Sequence, residues 1–245
     1  MPSTEPRLLQ KLDGPPWDIE PYRHIGGYQA WRKCVMELSR EGIVAEIRRS
    51  GLRGRGGAGF PTGTKWDKVL HHRIKERYFV CNAGEHEPGT FKDRYLLKHY
   101  PHQLLEGCLI AAFTVRAKAS FIYINQEYEE ERANLEKAIA QARTRGLLGK
   151  NVLGTGLDID IELFAGEGSY VAGEETAMLE SMQGRPAMPR QKPPFYPTDF
   201  GLYGKPTLVN NVETLCNIPR ILHKGASWFT QVGTDKCPGT MLFSL

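Results

Sequence analysis

The sequence predicts an α/β layered fold, because short β-rich segments alternate with helical segments along its 245 residues. Runs of β-forming residues predict strands at 78–83, 119–125 and 157–164, with a last strand beginning at 239. Apolar residues at helical spacing predict helices over 27–50, 101–118, 127–145, 173–183 and 211–223. The proline-rich segment 185–206 predicts an extended path without regular structure.

The composition excludes several classes of protein. Hydrophobic residues make up 40% of the chain, which is enough for a core, and the net charge of +4 is too small to indicate nucleic-acid binding. The sequence lacks an apolar run of the roughly 18 residues that span a membrane, and its first residues do not form a secretory signal. The five cysteines include no C-x-x-C pair, which argues against a disulfide framework or a metal site. We therefore expect a cytoplasmic protein without direct membrane insertion.

A glycine-rich element at 51–60 is the first sign of a ligand site. It contains the pattern Gly54-x-Gly56-x-x-Gly59, which matches a dinucleotide fingerprint but follows a predicted helix where that fingerprint follows a strand. Cations are interleaved with the glycines and follow them, and these suit a phosphate: Arg53, Arg55 and Lys65. The alternative is a flexible surface loop without a ligand.

A second glycine-rich element, at 166–175, ends in Glu174 and Glu175 at the start of a predicted helix. Carboxylates suit ribose hydroxyls, although the positive end of a helix dipole also favours them without any ligand. Acidic residues also follow the strand predicted at 78–83. They fit either a metal site or a solvated acidic turn. The segment 192–197 fits either a polyproline ligand or a rigid strap that presents an aromatic ring.

Together these segments resemble the flavin-bearing, NADH-oxidising subunit of respiratory complex I, which is the F subunit of the bacterial NADH-quinone oxidoreductase. The same module occurs in NAD-linked formate dehydrogenases and hydrogenases. The resemblance covers roughly residues 20 to 245 and rests on ordered motifs, which are 51–63 with Lys65-Trp66, 81–83, 87–90, 92–94, 173–177, 192–195, 204–207 and 209–214.

The resemblance implies a Rossmann-like, layered FMN-binding domain in which NADH stacks on the flavin. By position in the motifs, the expected flavin-binding residues are Gly54, Arg55, Gly56, Gly57, Lys65, Asn82, Glu85, Tyr170, Gly173, Glu174, Glu175, Asn210, Asn211 and Thr214. The expected NADH-binding residues are Phe60, Glu87, Glu175, Lys192 and Phe195. The flavin carries the chemistry, so we expect no catalytic acid or base, and Glu85 and Glu175 act through potential and positioning.

The resemblance also implies a division of the chain. We expect an irregular lead over 1–26, the FMN/NADH-binding domain over 27–238, and the start of a ubiquitin-like domain at 239–245. Relatives continue into a helical domain that carries a [4Fe-4S] cluster, and we expect this chain to hold no such cluster. The chain departs from the family pattern at Gly84, His86 and Lys68.

The implied function is hydride transfer from NADH to FMN, with onward electron transfer to iron–sulfur partner subunits of a respiratory complex. Such a complex would place the chain peripherally on the inner face of a membrane. The open alternatives are a diaphorase-type subunit of an NAD-linked formate dehydrogenase or hydrogenase, and a non-catalytic remnant.

Overall fold

The computed structural model describes residues 6–245, which form helices around a central parallel sheet. The strands are β1 Tyr78–Ala83, β2 Ala119–Asn125, β3 Gly149–Val152, β4 Leu157–Ile159, β5 Glu162–Gly166, β6 Thr207–Asn211, β7 Gly233–Thr234 and β8 Cys237–Pro238. The helices are α1 Ile19–His24, α2 Gln29–Met36, α3 Arg40–Arg49, α4 Thr62–Leu70, α5 Lys92–His99, α6 Pro101–Val115, α7 Glu129–Thr144, α8 Glu175–Ser181, α9 Pro197–Phe200, α10 Val212–Lys224 and α11 Ala226–Phe229. Two 3₁₀ turns span Tyr170–Gly173 and Leu202–Gly204.

The central sheet confirms the predicted α/β class. Its four strands stand in the order β5-β2-β1-β6, and each neighbouring pair is parallel. The chain leaves β1 towards β2 and β5, and it later returns to place β6 on the opposite side of β1. This reversal of direction makes a topological switch point between β1 and β6, where the carboxyl ends of open parallel sheets hold ligands.

The two faces of the sheet pack on different helices. Successive side chains of β1 point to opposite faces, so they enter two different clusters. Phe79 and Cys81 belong to the main core, which also contains residues of α6 and α10, whereas Tyr78 and Val80 join a second cluster that includes residues of α8. Every residue of α6 is buried. At Gly107 in α6, a Cβ would lie 2.2 Å from the carbonyl oxygen of Leu215, so glycine allows α6 and α10 to touch.

Three predicted elements differ from the structure. The helix expected over 27–50 is divided into α2 and α3. The Ser39 side chain accepts a hydrogen bond from the Gly42 N–H and so forms the N-cap of α3. The strand expected over 157–164 is divided into β4, which pairs antiparallel with β3, and β5, which joins the central sheet. The strand expected from 239 is absent among the described residues, since Gly239 has a φ of 81° and closes the β7–β8 hairpin.

The lead and the proline-rich segment also contain short helices. Residues 1–5 of the expected irregular lead lie outside the described part, and the remainder includes α1. Within 185–206, residues 197–200 form α9. The helices expected over 101–118, 127–145, 173–183 and 211–223 are confirmed as α6, α7, α8 and α10, and β1 and β2 match the strands predicted at 78–83 and 119–125.

A buried carboxylate holds the N-terminal helices against α6. The Glu106 side chain accepts hydrogen bonds from the Tyr22 hydroxyl at 2.5 Å, the Tyr28 N–H at 2.8 Å and the Trp31 N–H at 2.9 Å. Tyr28 and Trp31 lie at the start of α2, so Glu106 satisfies main-chain donors that the helix leaves unpaired. Burial raises the pKa of Glu106, and these hydrogen bonds oppose the shift.

Glu106→Ala should lower the free energy of unfolding by about 3 kcal/mol or more, because it leaves several buried donors without an acceptor. Urea unfolding measures this loss. The matched control is Glu136→Ala on α7, where an exposed glutamate pairs with Arg132 across one helical turn at 3.6 Å. Equal stabilities of the two variants would contradict the anchoring role of Glu106.

Candidate functional site

The site begins at the carboxyl ends of β1 and β6, where asparagines stand side by side. In the sheet register Cys81 pairs with Asn210 and Asn82 pairs with Asn211. The Asn82 amide donates to the Gly173 carbonyl at 2.9 Å and accepts from the Gly84 N–H at 3.1 Å. The switch point therefore brings the second glycine-rich element onto the end of β1.

The first glycine-rich element reaches the same place from the other side. The Gly54 N–H donates to the Phe60 carbonyl at 2.9 Å, which closes the loop, and the Arg55 N–H donates to the Thr214 hydroxyl at 2.9 Å. A Cβ on Gly56 would lie 3.1 Å from the Cβ of Asn211. Gly57 has a φ of 113° and open space beside it. The loop therefore lies on the start of α10 with exposed backbone at its tip.

The Arg55 guanidinium is buried and contacts other groups of the protein, whereas the sequence led us to expect that it would face a phosphate. Its guanidinium donates to the carbonyls of Pro238 at 3.2 Å and Thr240 at 3.0 Å. Its Nε lies 3.9 Å from Glu213 Oε1, and both side chains are at most 1% exposed. Arg53 is exposed instead, and its Nε donates to the Gly59 carbonyl.

A buried network of charges lies beneath the site, and its charged members are not among the residues predicted to bind a ligand. The Lys92 ammonium contacts Asp93 Oδ1 at 2.7 Å and Glu213 Oε2 at 3.1 Å, and the Asn211 amide donates to Asp93 Oδ2 at 2.5 Å. Burial acts to lower the pKa of Lys92, but the two carboxylates raise it above its usual value. Burial raises the pKa of Glu213. The network ties the start of α5 to the start of α10.

Glu85 caps the first turn of α5. Its carboxylate accepts from the Asp93 and Arg94 N–H groups, each at 3.0 Å. Burial, and then the negative charge of Asp93, raise the pKa of Glu85. This predicted tuning residue therefore fixes the turn between β1 and α5, and its side chain is held in place by the backbone of that turn.

Two lysines and two glutamates form a chain of ion pairs at the start of α8. The Lys65 ammonium contacts Glu175 Oε2 at 3.1 Å and donates to the Val209 carbonyl at 3.0 Å. Lys192 contacts Glu174 at 2.7 Å and Glu175 at 3.4 Å. Burial acts to raise the pKa of Glu174, but hydrogen bonds from Lys192 and from the helix start bring it below its usual value. The chain of ion pairs joins α4, α8 and the proline-rich segment.

The predicted aromatic residues lie on the rim of this site with large exposed fractions. Phe60 is 50% exposed, Tyr170 61% and Phe195 41%. The Tyr170 hydroxyl donates to Glu87 Oε2 at 2.6 Å, and the Phe195 ring lies 5.5 Å from that of Phe200. These rings are therefore accessible to a flat ligand.

The three departures from the family pattern have definite surroundings. A Cβ on Gly84 would lie 3.1 Å from the Tyr123 ring. The His86 Nδ1 lies 3.2 Å from the Asn125 amide nitrogen, and burial lowers the pKa of His86. The Lys68 ammonium lies 2.5 Å from Asp199 Oδ2 and 5.7 Å from the centre of the Tyr196 ring. Lys68 therefore links α4 to α9 of the proline-rich segment through an exposed ion pair.

Comparison with known proteins assigns the family. The family model described as the Nuo51 FMN-binding domain matches residues 47–220. The chain belongs to the Nuo51 FMN-binding family. The F subunit of NADH-quinone oxidoreductase from Rickettsia bellii (strain OSU 85-389) is 46% identical over 246 residues, which cover 100% of this chain and 58% of that protein. The corresponding protein of Escherichia coli (strain K12) is 47% identical over 98% of this chain and 54% of its own length.

A solved structure shares the fold of this Nuo51-family chain. The crystal structure of NAD⁺-reducing [NiFe]-hydrogenase in the H₂-reduced state matches with a TM-score of 0.76 and 41% identity, over 82% of this chain and 34% of that one. Against the curated relatives named above, the chain spans about half of their length.

The residues of this Nuo51-family site fit FMN. The backbone of Gly56 and Gly57 is exposed, Gly57 has open space beside it, and Lys65, shortly after the loop, is partly exposed. Asn82 and Asn211 place side-chain amides at the carboxyl ends of β1 and β6, where hydrogen bonds to the Gly173 carbonyl and to Asp93 fix their orientation. Within residues 6–245, the structure contains no group of three or more ligating side chains placed for a metal ion. Over the same range, no helix is long and apolar enough to cross a membrane.

Thr214→Val should release the glycine loop, because it removes the acceptor of the buried Arg55 N–H with little change in side-chain volume. We expect faster hydrogen exchange at the Arg55 amide and a loss of about 1 to 2 kcal/mol in the free energy of unfolding. The control is Thr114→Val, a buried threonine whose hydroxyl donates to a carbonyl within α6. Unchanged exchange at Arg55 in Thr214→Val would show that this bond does not hold the loop.

Proposed function

We propose that this chain binds FMN and NADH at the carboxyl edge of β1 and β6 and transfers a hydride from NADH to the flavin. The observation that carries the proposal is the pairing of Asn82 with Asn211 at the switch point, with both glycine-rich elements converging there. Open α/β sheets bind nucleotide cofactors at such a point. The family match supports the identity of the cofactor.

FMN supplies a hydride acceptor when it is bound, and the chain supplies binding and orientation. The backbone of the glycine loop and Lys65 would hold the phosphate. Asn82, Asn210 and Asn211 would face the polar edge of the ring. The Trp66 indole N–H donates to Asn210 Oδ1 at 2.8 Å, which fixes the orientation of that amide.

NADH would lie over the exposed rim. Phe60 and Phe195 would stack on its adenine, and Glu87 and Glu175 would accept hydrogen bonds from its ribose hydroxyls. The Tyr170 hydroxyl already holds the Glu87 carboxylate, which orients one of the two acceptors. No side chain would have to carry a proton in this scheme, because FMN would supply the hydride acceptor and the chain would supply binding and orientation.

The electrons would leave to iron–sulfur partner subunits of a respiratory complex at the inner face of a membrane. Relatives named as F subunits of NADH-quinone oxidoreductase, at 46% and 47% identity, support this assembly. The likeness to NAD⁺-reducing [NiFe]-hydrogenase favours a second candidate, a diaphorase-type subunit of a hydrogenase. Mass spectrometry of the complex purified from its native source separates the two by the partner polypeptides.

The purified chain should develop the visible spectrum of a bound flavin when FMN is added, and anaerobic NADH should bleach it. The convergence of both glycine-rich elements on one sheet edge is the physical reason for this expectation. Gel filtration followed by absorption spectroscopy measures retention, and a stopped-flow mixer measures bleaching. A protein that elutes free of flavin would refute the proposed site.

NADH should bleach the flavin at least about tenfold faster than NADPH, because carboxylates on the rim would repel a 2′-phosphate. Glu87→Gln should narrow the difference by improving the rate with NADPH. The matched control is Glu129→Gln, in the first turn of α7. Equal rates with the two nucleotides in the unmodified protein would show that Glu87 and Glu175 do not face the ribose.

A further inference from the structure

Glu175 stands between two cations that belong to different segments. Its Oε2 lies 3.1 Å from the Lys65 ammonium on α4, and its Oε1 lies 3.4 Å from the Lys192 ammonium on the proline-rich segment. The three side chains are 20 to 29% exposed, so each is accessible to a ligand. The carboxylate therefore bridges the base of the site and its rim.

Lys65 has limited capacity for a further anion. An ammonium group has three N–H donors, and here one reaches the Val209 carbonyl at 3.0 Å and another reaches Glu175. A phosphate oxygen on the third donor would come within a few ångströms of the Glu175 carboxylate. Two like charges at that distance repel each other when they are partly shielded from water.

The neighbouring carboxylate, Glu174, is held in place by hydrogen bonds from the backbone. Its Oε2 accepts from the N–H groups of Thr176 at 2.8 Å and Ala177 at 2.9 Å, and so it caps α8. Glu175 lies in the first turn of the same helix, and its carboxylate contacts the two lysines. Glu175 is therefore the member of the ion-pair chain that can move, and Lys192 is the cation towards which it can move.

We propose that Glu175 competes with the FMN phosphate for Lys65, and that phosphate binding shifts Glu175 towards Lys192. The inference rests on the proposed function, and it adds a coupling between the phosphate end of the flavin site and the proline-rich segment. Flavin binding thereby strengthens the attachment of that segment to α8. Towards FMN, Glu175 is a positioning residue, because it acts on the phosphate through the two lysines.

The test compares FMN with riboflavin, which carries the same ring without the phosphate. Glu175→Gln should bind FMN about five- to tenfold more tightly than the unmodified chain, because the phosphate meets no competing charge. Riboflavin affinity should change by less than about twofold. Titration with flavin-fluorescence quenching gives both dissociation constants. The control is Glu167→Gln, which removes an exposed charge from the neighbouring glycine-rich element.

Two further variants test whether the effect passes through the lysines. In a Lys65→Met background, Glu175→Gln should leave FMN affinity unchanged, because the group in competition is gone. Lys192→Met should weaken FMN binding without affecting riboflavin, since Glu175 then has only Lys65 as a cationic partner. Circular dichroism confirms that each variant is folded.

The outcomes separate the inference from the function. Equal or weaker FMN binding by Glu175→Gln, or an equal change with riboflavin, overturns the competition while flavin binding stands. An effect of the same size in the Lys65→Met background also overturns it. Failure of the unmodified chain to bind either flavin overturns the proposed function, and the inference falls with it.

Discussion

The Lys92 ammonium, on a side chain that is 15% exposed, makes the ion pairs on which the geometry of the site depends. It lies between Asp93 and Glu213, whose side chains are 5% and 0% exposed. Glu213 also accepts from the Leu242 N–H at 2.9 Å, and Asp93 accepts from Asn211. Removing one member of such a network leaves an uncompensated buried charge, which is far more costly than the loss of a surface ion pair. The start of α5, the start of α10 and the backbone at Leu242 are thus fixed together.

The two ends of the site are held by different kinds of contact. The base is held by buried groups, with Arg55 directed to the carbonyls of Pro238 and Thr240 and Glu85 closed on the first turn of α5. The rim is held by ion pairs that water reaches, among them those of Lys192 with Glu174 and Glu175. A rigid base can orient a bound ring. Solvent-accessible ion pairs at the rim can open and re-form, which suits entry and release of a dinucleotide.

Strands β1 and β2 could be predicted because they are short, buried and bounded by loops, whereas the sequence pattern predicts no strand at β6. The runs at 78–83 and 119–125 carry their own β signal, and the alternation with helices gives the class. The break at Ser39 could not be seen in the periodicity, since apolar residues continue at helical spacing on both sides of the cap. The division of 157–164 depends on the strand with which each half pairs, and this pairing is set by tertiary contacts that the local sequence does not reveal.

The gathering of the expected site residues could be predicted from the motifs, whereas the partners of individual side chains could not, and flavin binding by these residues stays a prediction. The motifs predicted roles for Asn82, Asn211 and both glycine-rich elements, and the structure brings these together. The inward direction of Arg55 could not be predicted, because a cation in a loop has the same sequence signature whether it meets a ligand or a buried carbonyl. The ion pair of Lys92 with Glu213 joins residues far apart in the chain, so local sequence patterns could not predict it.

The central claim is that one flavin lies across the ends of β1 and β6, and a crystal structure of the chain grown with FMN tests it most directly. We expect the ring beside Asn82 and Asn211, the phosphate against the backbone of Gly56 and Gly57, and an unchanged Lys92 network beneath. Flavin density at another place on the molecule, or a ring on the opposite edge of the sheet, would contradict the account.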